Sequence, residues 1–400
     1  MDFSKNLSNR VSALEESATI KMAQMARDLI AQGKDIISLS LGEPDFDTPE
    51  FIKTAAKQAL DDGYTKYSPV PGINELRNAI SEKFKSENQL HYEKDQIVVS
   101  NGAKQCIANI AQALLNKGDE VVVFTPYWVS YDAIIRLAGG VPVFLKAGIE
   151  KDFKVDAEQL EKCLSDKTKF ILFSSPCNPT GSVYNREELE ALAAVILKHP
   201  QVMVVSDEIY EYINFQGDHL SIGALPEMID RTITVNGMSK GFAMTGWRLG
   251  YMGAPKWLAD ACSKIQGQFT SGACSFGQKA AAVAIASDRD EINDMKDAFL
   301  RRRDLVLKLF GEIKGFRINK PEGAFYLLPD ISYFFGKKYA GKTIKDANDF
   351  SEFILQEAHV AVVTGSAFGS EECIRLSYAA KDEELIQAAK RIAEAVEKLY

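Results

Sequence analysis

The chain has 400 residues, of which 46% are hydrophobic and 26% charged, and its formal net charge is −8. That is ordinary globular composition at a length beyond what one hydrophobic core fills, so a large domain with a smaller companion is expected. The acidic balance excludes a basic face for nucleic acid, and no uninterrupted apolar segment is long enough to cross a membrane; the polar start, Met1 to Arg10, lacks a signal-peptide core, so the cytoplasm is the expected compartment.

From about residue 96 to 235, short apolar runs alternate with helical patterns, as in doubly wound α/β proteins with a mostly parallel sheet. Strands are predicted at 97–100, 121–125, 169–173, 202–206 and 232–235, with helices such as 104–115 and 186–197 between them. After Lys240 the pattern turns mostly helical, through 257–266 and a long charged stretch at 291–310 that suits a helix linking two domains. A smaller α+β unit follows, with strand-like segments at 324–328, 360–363 and 374–377 and an amphipathic closing helix at 383–399. The expected division is an N-terminal segment, 1–45, packing with the small domain, a large cofactor-binding domain, 46–290, and a small C-terminal domain, 291–400. No repeat or low-complexity linker separates them.

Six cysteines (Cys106, Cys163, Cys177, Cys262, Cys274, Cys373) are scattered without a C-x-x-C pair or a histidine at metal spacing, and read as reduced, mostly buried thiols with no metal site. Four isolated histidines (His91, His199, His219, His359) read as solvated or capping. Acid–base chemistry then falls to another residue type, and a lysine with a lowered pKa is the candidate.

Three motifs, Asn178-Pro-Thr-Gly181, Asp207-Glu-Ile-Tyr210 and Asn236-Gly-Met-Ser-Lys240, each follow an apolar strand-like run. They should therefore gather at one edge of the sheet, where α/β proteins bind cofactors. A lysine, a carboxylate, a phenol and an amide at such an edge suggest pyridoxal phosphate. Lys240 forms an imine only as the neutral amine, so desolvation or a nearby cation such as Arg248 must lower its pKa; the alternative is a surface lysine in a Gly-rich loop. Asp207, directly after the apolar run, needs a cation such as a protonated pyridine nitrogen, or else caps the next helix. Tyr210 and Asn178 can reach a ring hydroxyl, and Pro176 and Pro179 stiffen the loop that carries the asparagine.

Asn101-Gly102-Ala103-Lys104 opens a helix whose free N–H groups suit a phosphate, and Arg248 either adds a charge-assisted bond to it or forms a surface ion pair. Trp128 either stacks on the ring or packs in the core. Arg375, inside the apolar run Ile374-Arg-Leu-Ser377, needs a planar anion: a substrate carboxylate, or an Asp or Glu of the chain.

Taken with Leu41-Gly-Glu-Pro-Asp-Phe46, Tyr67-Ser-Pro-Val-Pro-Gly72, Met244-Thr-Gly-Trp-Arg-Leu-Gly250 and Gly323-Ala-Phe-Tyr326, these motifs make nearly the whole chain resemble the fold-type I, class I aminotransferases. Within that family it is most similar to bacterial aspartate aminotransferases of the aspartate/prephenate branch. The resemblance implies pyridoxal 5'-phosphate as cofactor, with Lys240 as the internal aldimine lysine and proton carrier and Asp207 as the pyridine-nitrogen partner. It further implies Tyr210 and Asn178 on the ring oxygen, and Trp128 stacked on the ring and facing substrate. Gly102, Ala103, Lys104, Ser239 and Arg248 are then cofactor-binding, and Gly42, Asn178 and Arg375 meet the substrate, Gly42 and Arg375 at its α-carboxylate. Tyr67 would reach the phosphate of a neighbouring subunit, which implies a homodimer with shared active sites.

Lys104 resembles a clamp on the second carboxylate of aspartate or glutamate; its alternative is a phosphate-side or solvated lysine. The implied reaction is a ping-pong transamination between aspartate and 2-oxoglutarate, giving oxaloacetate and glutamate. Rival readings are an aminotransferase acting on alanine, aromatic amino acids or prephenate, a lyase of the same fold, and a cofactor-sensing regulator, for which the roughly forty residues before Gly42 leave little room for a DNA-binding module. Two departures stand out. Glu15 occupies the place of a basic residue in prephenate-active members, which weighs against prephenate, and Gly237 replaces a phosphate-binding serine.

Overall fold

The computed structural model describes residues 4–14 and 18–400, so Glu15 lies outside the described residues. β1 (Ile37–Ser38) precedes two amphipathic helices, Glu50–Asp61 and Asn74–Asn88, that lead into β2 (Ile97–Ser100). Strand and helix then alternate: helix Ala103–Leu114, β3 (Glu120–Thr125), helix Ser130–Leu137, β4 (Val141–Lys146), helix Ala157–Cys163, β5 (Thr168–Ser174), helix Arg186–Ile196, β6 (Met203–Asp207), β7 (Thr232–Gly237) and β8 (Gly250–Gly253). These strands form a seven-stranded sheet in the order β2-β8-β7-β6-β5-β3-β4. β4, β3, β5, β6 and β7 run parallel, while β8 is antiparallel to both β7 and β2.

The parallel strands are near-continuous apolar runs because both faces of the sheet are covered. Val121, Val123, Phe170 and Leu172 pack on one side with Ile107, Ile110 and Leu258, and Val122, Phe124, Ile171 and Phe173 on the other with Leu189, Leu192 and Ile196. Alternation within each strand thus feeds two cores. Since β2 points the same way as β7, the chain leaves β2, β3, β5, β6 and β7 at one edge, which carries Gly102, Trp128, Asn178, Asp207 and Lys240 there together.

Two strands depart from the expectation. β4 is interrupted by Pro142 and lies at the sheet edge, where a missing N–H is tolerated. β8 breaks the mostly helical pattern expected after Lys240; its Gly-Tyr-Met-Gly sequence is too short to signal a strand, and it exists through contact with β7 and β2.

Helices Lys256–Phe269, Ser275–Ala286 and Asp290–Gly311 follow, the last spanning the predicted linking helix with one residue more at each end. Beyond it come β9 (Tyr326–Leu327), the hairpin β10 (Lys338–Tyr339) and β11 (Lys342–Thr343), helix Ala347–Glu357, β12 (Val360–Ala361), β13 (Val363–Thr364), β14 (Ile374–Ser377) and helix Asp382–Val396. The single strand predicted at 360–363 is therefore two: β12 pairs in parallel with β1, and β13 joins a three-stranded antiparallel sheet, β13-β14-β9. From the N-terminal helix Ala18–Ala31, Met22 and Ala26 pack on Leu355 and Ala361. No helix among the described residues is long and apolar enough to cross a membrane.

The cysteines are all free, with Cys106, Cys262 and Cys373 buried and Cys274 exposed. His219 corrects the reading of the histidines as solvated or capping. Its side chain is only 6% exposed and Nε2 lies 2.9 Å from an oxygen of the fully buried Glu208. An isolated histidine gives no sign in sequence of a partner that folding brings to it.

Candidate active site

A cavity of about 370 Å³ opens at the sheet edge and is lined by residues from both ends of the chain, from Leu41 and Gly42 to Arg375. Ala103, Lys104, Trp128, Asn178, Asp207, Tyr210, Ser239, Lys240 and Arg248 also line it. Of the residues assigned from sequence, Gly102 and Tyr67 do not. Gly102 caps the helix Ala103–Leu114 at φ 88°, where a Cβ would lie 2.5 Å from Arg248 Nη2, so only glycine lets the guanidinium close on that turn. Tyr67 is 98% exposed and does not line the cavity of its own chain.

Asp207 ends β6 and is buried. Oδ2 accepts the Tyr131 hydroxyl at 2.7 Å and Oδ1 the Ile209 N–H at 3.3 Å, with no ion-pair partner among the described residues. Burial pushes the carboxyl up to about 6, against the pull of Tyr131. No helix begins there, so the capping alternative falls away.

Lys240 is partly buried and donates from Nζ to the Gly42 carbonyl. Burial lowers its amine to about 8; the Glu43 carboxylate opposes the shift, while Arg375 and Arg248 add to it. The surface-lysine alternative therefore fails.

Arg375, on β14, is 2% exposed. Nη2 donates to the Ser40 carbonyl at 2.7 Å and Nη1 to Asn178 Oδ1 at 3.1 Å, while Nε has no partner. The guanidinium lies 4.7 Å from each of the Tyr326 and Phe368 rings. Among the described residues no Asp or Glu pairs with it, so this buried cation lacks the anion expected of the chain.

The Tyr210 hydroxyl lies 2.7 Å from that of Tyr326, and both phenols are buried. Trp128 meets Tyr131 edge-on at 5.5 Å, and Lys104 Nζ stands 5.0 Å from the Trp128 ring centroid. Lys104 is exposed at the cavity mouth, has no carboxylate partner among the described residues, and has its pKa lowered by desolvation and then by Arg248. Arg248, also exposed, donates to the Thr245 carbonyl at 2.9 Å and makes no ion pair among the described residues. At the start of helix Ala103–Leu114 the N–H groups of Asn101 and Gly102 bond Gln105 Oε1 and the Ser100 carbonyl, whereas those of Ala103 and Lys104 have no acceptor among the described residues.

Gly237 has a local physical cause. A Cβ there would lie 2.9 Å from both Gly250 Cα and the Leu249 carbonyl, so the β7–β8 pairing leaves no room for serine.

Sequence reasoning assigned no role to Tyr131, Tyr326 or Glu43. Tyr131 lies in the first turn of the helix Ser130–Leu137 and Trp128 in the loop before it, so no helical spacing marked the pair in sequence. Tyr326 lies within a motif, but its partner, Tyr210, is 116 residues away. Glu43 lines the cavity and accepts from the Thr245 hydroxyl.

The cavity thus gathers Lys104, Lys240, Arg248 and Arg375 against Asp207 and Glu43. It suits an anionic ligand, with helix N–H groups and Arg248 for a phosphate, Asp207 for a cationic ring atom and Arg375 for a carboxylate. No group of His, Cys, Asp and Glu among the described residues could hold a metal ion.

The family model described as aminotransferase class I and II matches residues 34–392. The chain is 47% identical, over 98% of its length and 83% of the relative's, to a bifunctional aspartate aminotransferase and glutamate/aspartate-prephenate aminotransferase of Petunia hybrida. Its fold matches the aspartate aminotransferase of Rhizobium meliloti with a TM-score of 0.96 at 42% identity, covering 98% of this chain and 99% of that one. It also matches the Thermus thermophilus aspartate aminotransferase with maleate, with a TM-score of 0.92 at 41% identity, covering 97% and 99%. The chain belongs to the class I and II aminotransferases and is an aminotransferase of fold-type I.

Proposed function

We propose that the enzyme transfers the amino group of aspartate to 2-oxoglutarate, giving oxaloacetate and glutamate, in a ping-pong cycle that uses pyridoxal 5'-phosphate. The observation that carries this reading is a pair of cations on one cavity, Arg375 and Lys104, neither with a carboxylate partner among the described residues. Two such cations suit a dicarboxylic substrate, and the Thermus relative with maleate supports the choice. The residues also fit the cofactor: Asp207 is a buried carboxyl with no ion-pair partner among the described residues, and two helix N–H groups beside Arg248 have no acceptor among them.

When bound, the cofactor supplies an aldehyde that takes the amino group and a ring that accepts the electron pair of a breaking Cα–H bond. Asp207, as the carboxylate, holds the ring nitrogen in its protonated form. Tyr210 and Asn178 hold the ring oxygen, and Trp128 covers the ring face. Arg375 and the Gly42 backbone orient the α-carboxylate, and Lys104 holds the side-chain carboxylate. Lys240 Nζ, neutral in an appreciable fraction near pH 8, takes the proton from Cα. The same groups run the second half-reaction in reverse.

The expected cytoplasmic location and the division into 1–45, 46–290 and 291–400 belong to this reading, as does a homodimer in which Tyr67, 98% exposed, reaches the phosphate of a second copy. A second reading, in which prephenate is an amino acceptor, is supported by the name of the Petunia relative and opposed by Glu15.

The test follows the cofactor's absorbance in single half-reactions with aspartate, glutamate, alanine and phenylalanine. Aspartate and glutamate should convert it efficiently. Lys104→Met should raise KM for aspartate roughly 10- to 100-fold, as loss of one charge-assisted contact does, and leave alanine nearly unchanged. Conversion by alanine but not by aspartate overturns the reading, and turnover by folded Lys240→Ala overturns the role of the lysine.

A further inference from the structure

We propose that His219 is a positioning residue that acts through Glu208 to keep Asp207 ionised; this rests on the reading of Asp207 as the partner of a cationic ring nitrogen. Asp207 and Glu208 are consecutive at the end of β6. Asp207 lines the cavity, and Glu208 is fully buried behind it. Glu208 accepts the hydroxyls of Ser206 at 2.8 Å and Ser221 at 2.6 Å, and His219 Nε2 at 2.9 Å, while its own N–H donates to the Val235 carbonyl at 2.8 Å. Three donors converge on one carboxylate and lock both its charge and the backbone that presents Asp207.

Carboxyl groups on consecutive residues raise each other's proton affinity unless a cation answers one of them. Lys83, the other buried cation of this cluster, is engaged elsewhere: it pairs with Glu211, donates to Asn88 Oδ1 at 2.7 Å and stands 3.8 Å from Glu87. Among the described residues, that leaves His219 as the ion-pair partner of Glu208. From β8 and the segment before β2, the cluster meets Tyr251 and Tyr92, which burial keeps neutral; on the far side Tyr131 and Lys240 face Asp207. Burial pulls the imidazole down, but Glu208 and Glu211 outweigh it and leave His219 above its ordinary value. Asp207, raised to about 6 with Glu208 among the causes, sits where a modest change in neighbouring charge alters its ionisation near neutral pH.

Among the described residues the ring of His219 is held through Nε2, and its buried Nδ1 has no partner. His219→Gln therefore keeps a donor for Glu208 while removing the charge, and Glu208→Gln removes the opposite charge at the same volume. The experiment uses cofactor-free protein and pyridoxamine 5'-phosphate, which forms no covalent bond to Lys240. Its affinity is followed by tryptophan fluorescence from about pH 5 to 8.5, with Asp207→Asn for reference. Affinity should fall on the acid side as Asp207 takes up a proton, and the ligand's own titrations are common to all variants.

His219→Gln should move the acid limb to higher pH by about half a unit to one unit, and Glu208→Gln should move it to lower pH by a similar amount. The double variant should follow Glu208→Gln. A purely structural role lowers affinity without shifts of opposite sign. Limbs that stay put, or move the same way in both variants, overturn the inference while the role of Asp207 stands. An acid limb unchanged in Asp207→Asn overturns both. Should His219→Gln fail to fold, the direction of the Glu208→Gln shift decides alone.

Discussion

Replacing Arg375 with methionine separates a substrate-binding cation from a structural one, because activity should fall steeply while stability stays nearly unchanged. The guanidinium is 2% exposed, keeps bonds to the Ser40 carbonyl and Asn178, and has no carboxylate partner among the described residues. If a substrate carboxylate is its missing partner, truncation removes one half of a buried charged pair, a loss of about 2–5 kcal/mol. At about 1.4 kcal/mol per decade that is roughly a 30- to 3000-fold fall in kcat/KM. Removing an uncompensated buried charge in favour of an apolar side chain contributes about 1–4 kcal/mol to the cofactor-free protein. The two acceptors left without a donor cost about 1 kcal/mol each. For a chain of this length the unfolding entropy is about 0.8 kcal/mol per degree, so the midpoint should stay within about 1 °C below and 2 °C above that of the wild type. Steady-state kinetics over a range of aspartate, with thermal unfolding of the cofactor-free protein, read both quantities. A midpoint lowered by several degrees with kcat/KM within tenfold of wild type would show that Arg375 is a structural cation and refute the reasoning.

Three other outcomes follow from the same geometry. Tyr131→Phe removes the 2.7 Å donor to Asp207 and pushes that carboxyl further up, so pyridoxamine 5'-phosphate should bind the cofactor-free protein roughly tenfold more weakly; equal affinity in a fluorescence titration contradicts this. Gly237→Ser introduces a Cβ 2.9 Å from Gly250 Cα, and overpacking of about 1–3 kcal/mol should lower the unfolding midpoint by about 1–4 °C with no gain in cofactor affinity. Because burial lowers Lys240 from 10.5 to about 8, borohydride trapping of pyridoxal on the cofactor-free protein should accelerate with a midpoint near pH 8. Between those two values the unfolded chain binds more protons than the folded one, so this lysine's contribution to stability rises with pH from about 8 to about 10.5.

The parallel strands were legible because burial on both faces demands continuous apolar runs, and the gathering of three motifs at one sheet edge because each follows such a run. What escaped depended on distant partners. β8 is four residues whose strand character comes from β7 and β2, and 360–363 divides because β1 claims its first half and β14 its second. Sequence also pointed to the need of Arg375 for an anion but could not decide between a substrate and the chain itself. The structure narrows this by placing no carboxylate of the described residues beside it. The Glu208–His219 pair was illegible for a related reason: eleven residues separate the partners, and nothing local marks the histidine as buried.

The site holds together electrically through the segment that carries Gly42. Ser40 accepts from Arg375, Gly42 from Lys240 and Glu43 from Thr245, while Asp45 receives both Nη atoms of Arg302 at 2.7 and 2.8 Å. One short stretch therefore ties Arg375, Lys240 and the turn of Arg248 to the long helix Asp290–Gly311. Its two ends of charge also speak to each other through the cavity, because Arg375 and Arg248 add to the burial that lowers the Lys240 amine to about 8. On the proposed function, a carboxylate at Arg375 and a phosphate at Arg248 would cancel the part those two cations play, so ligand binding would raise the proton affinity of Lys240. The same cations that would recruit an anionic substrate would thus make the amine a stronger base once that substrate is bound.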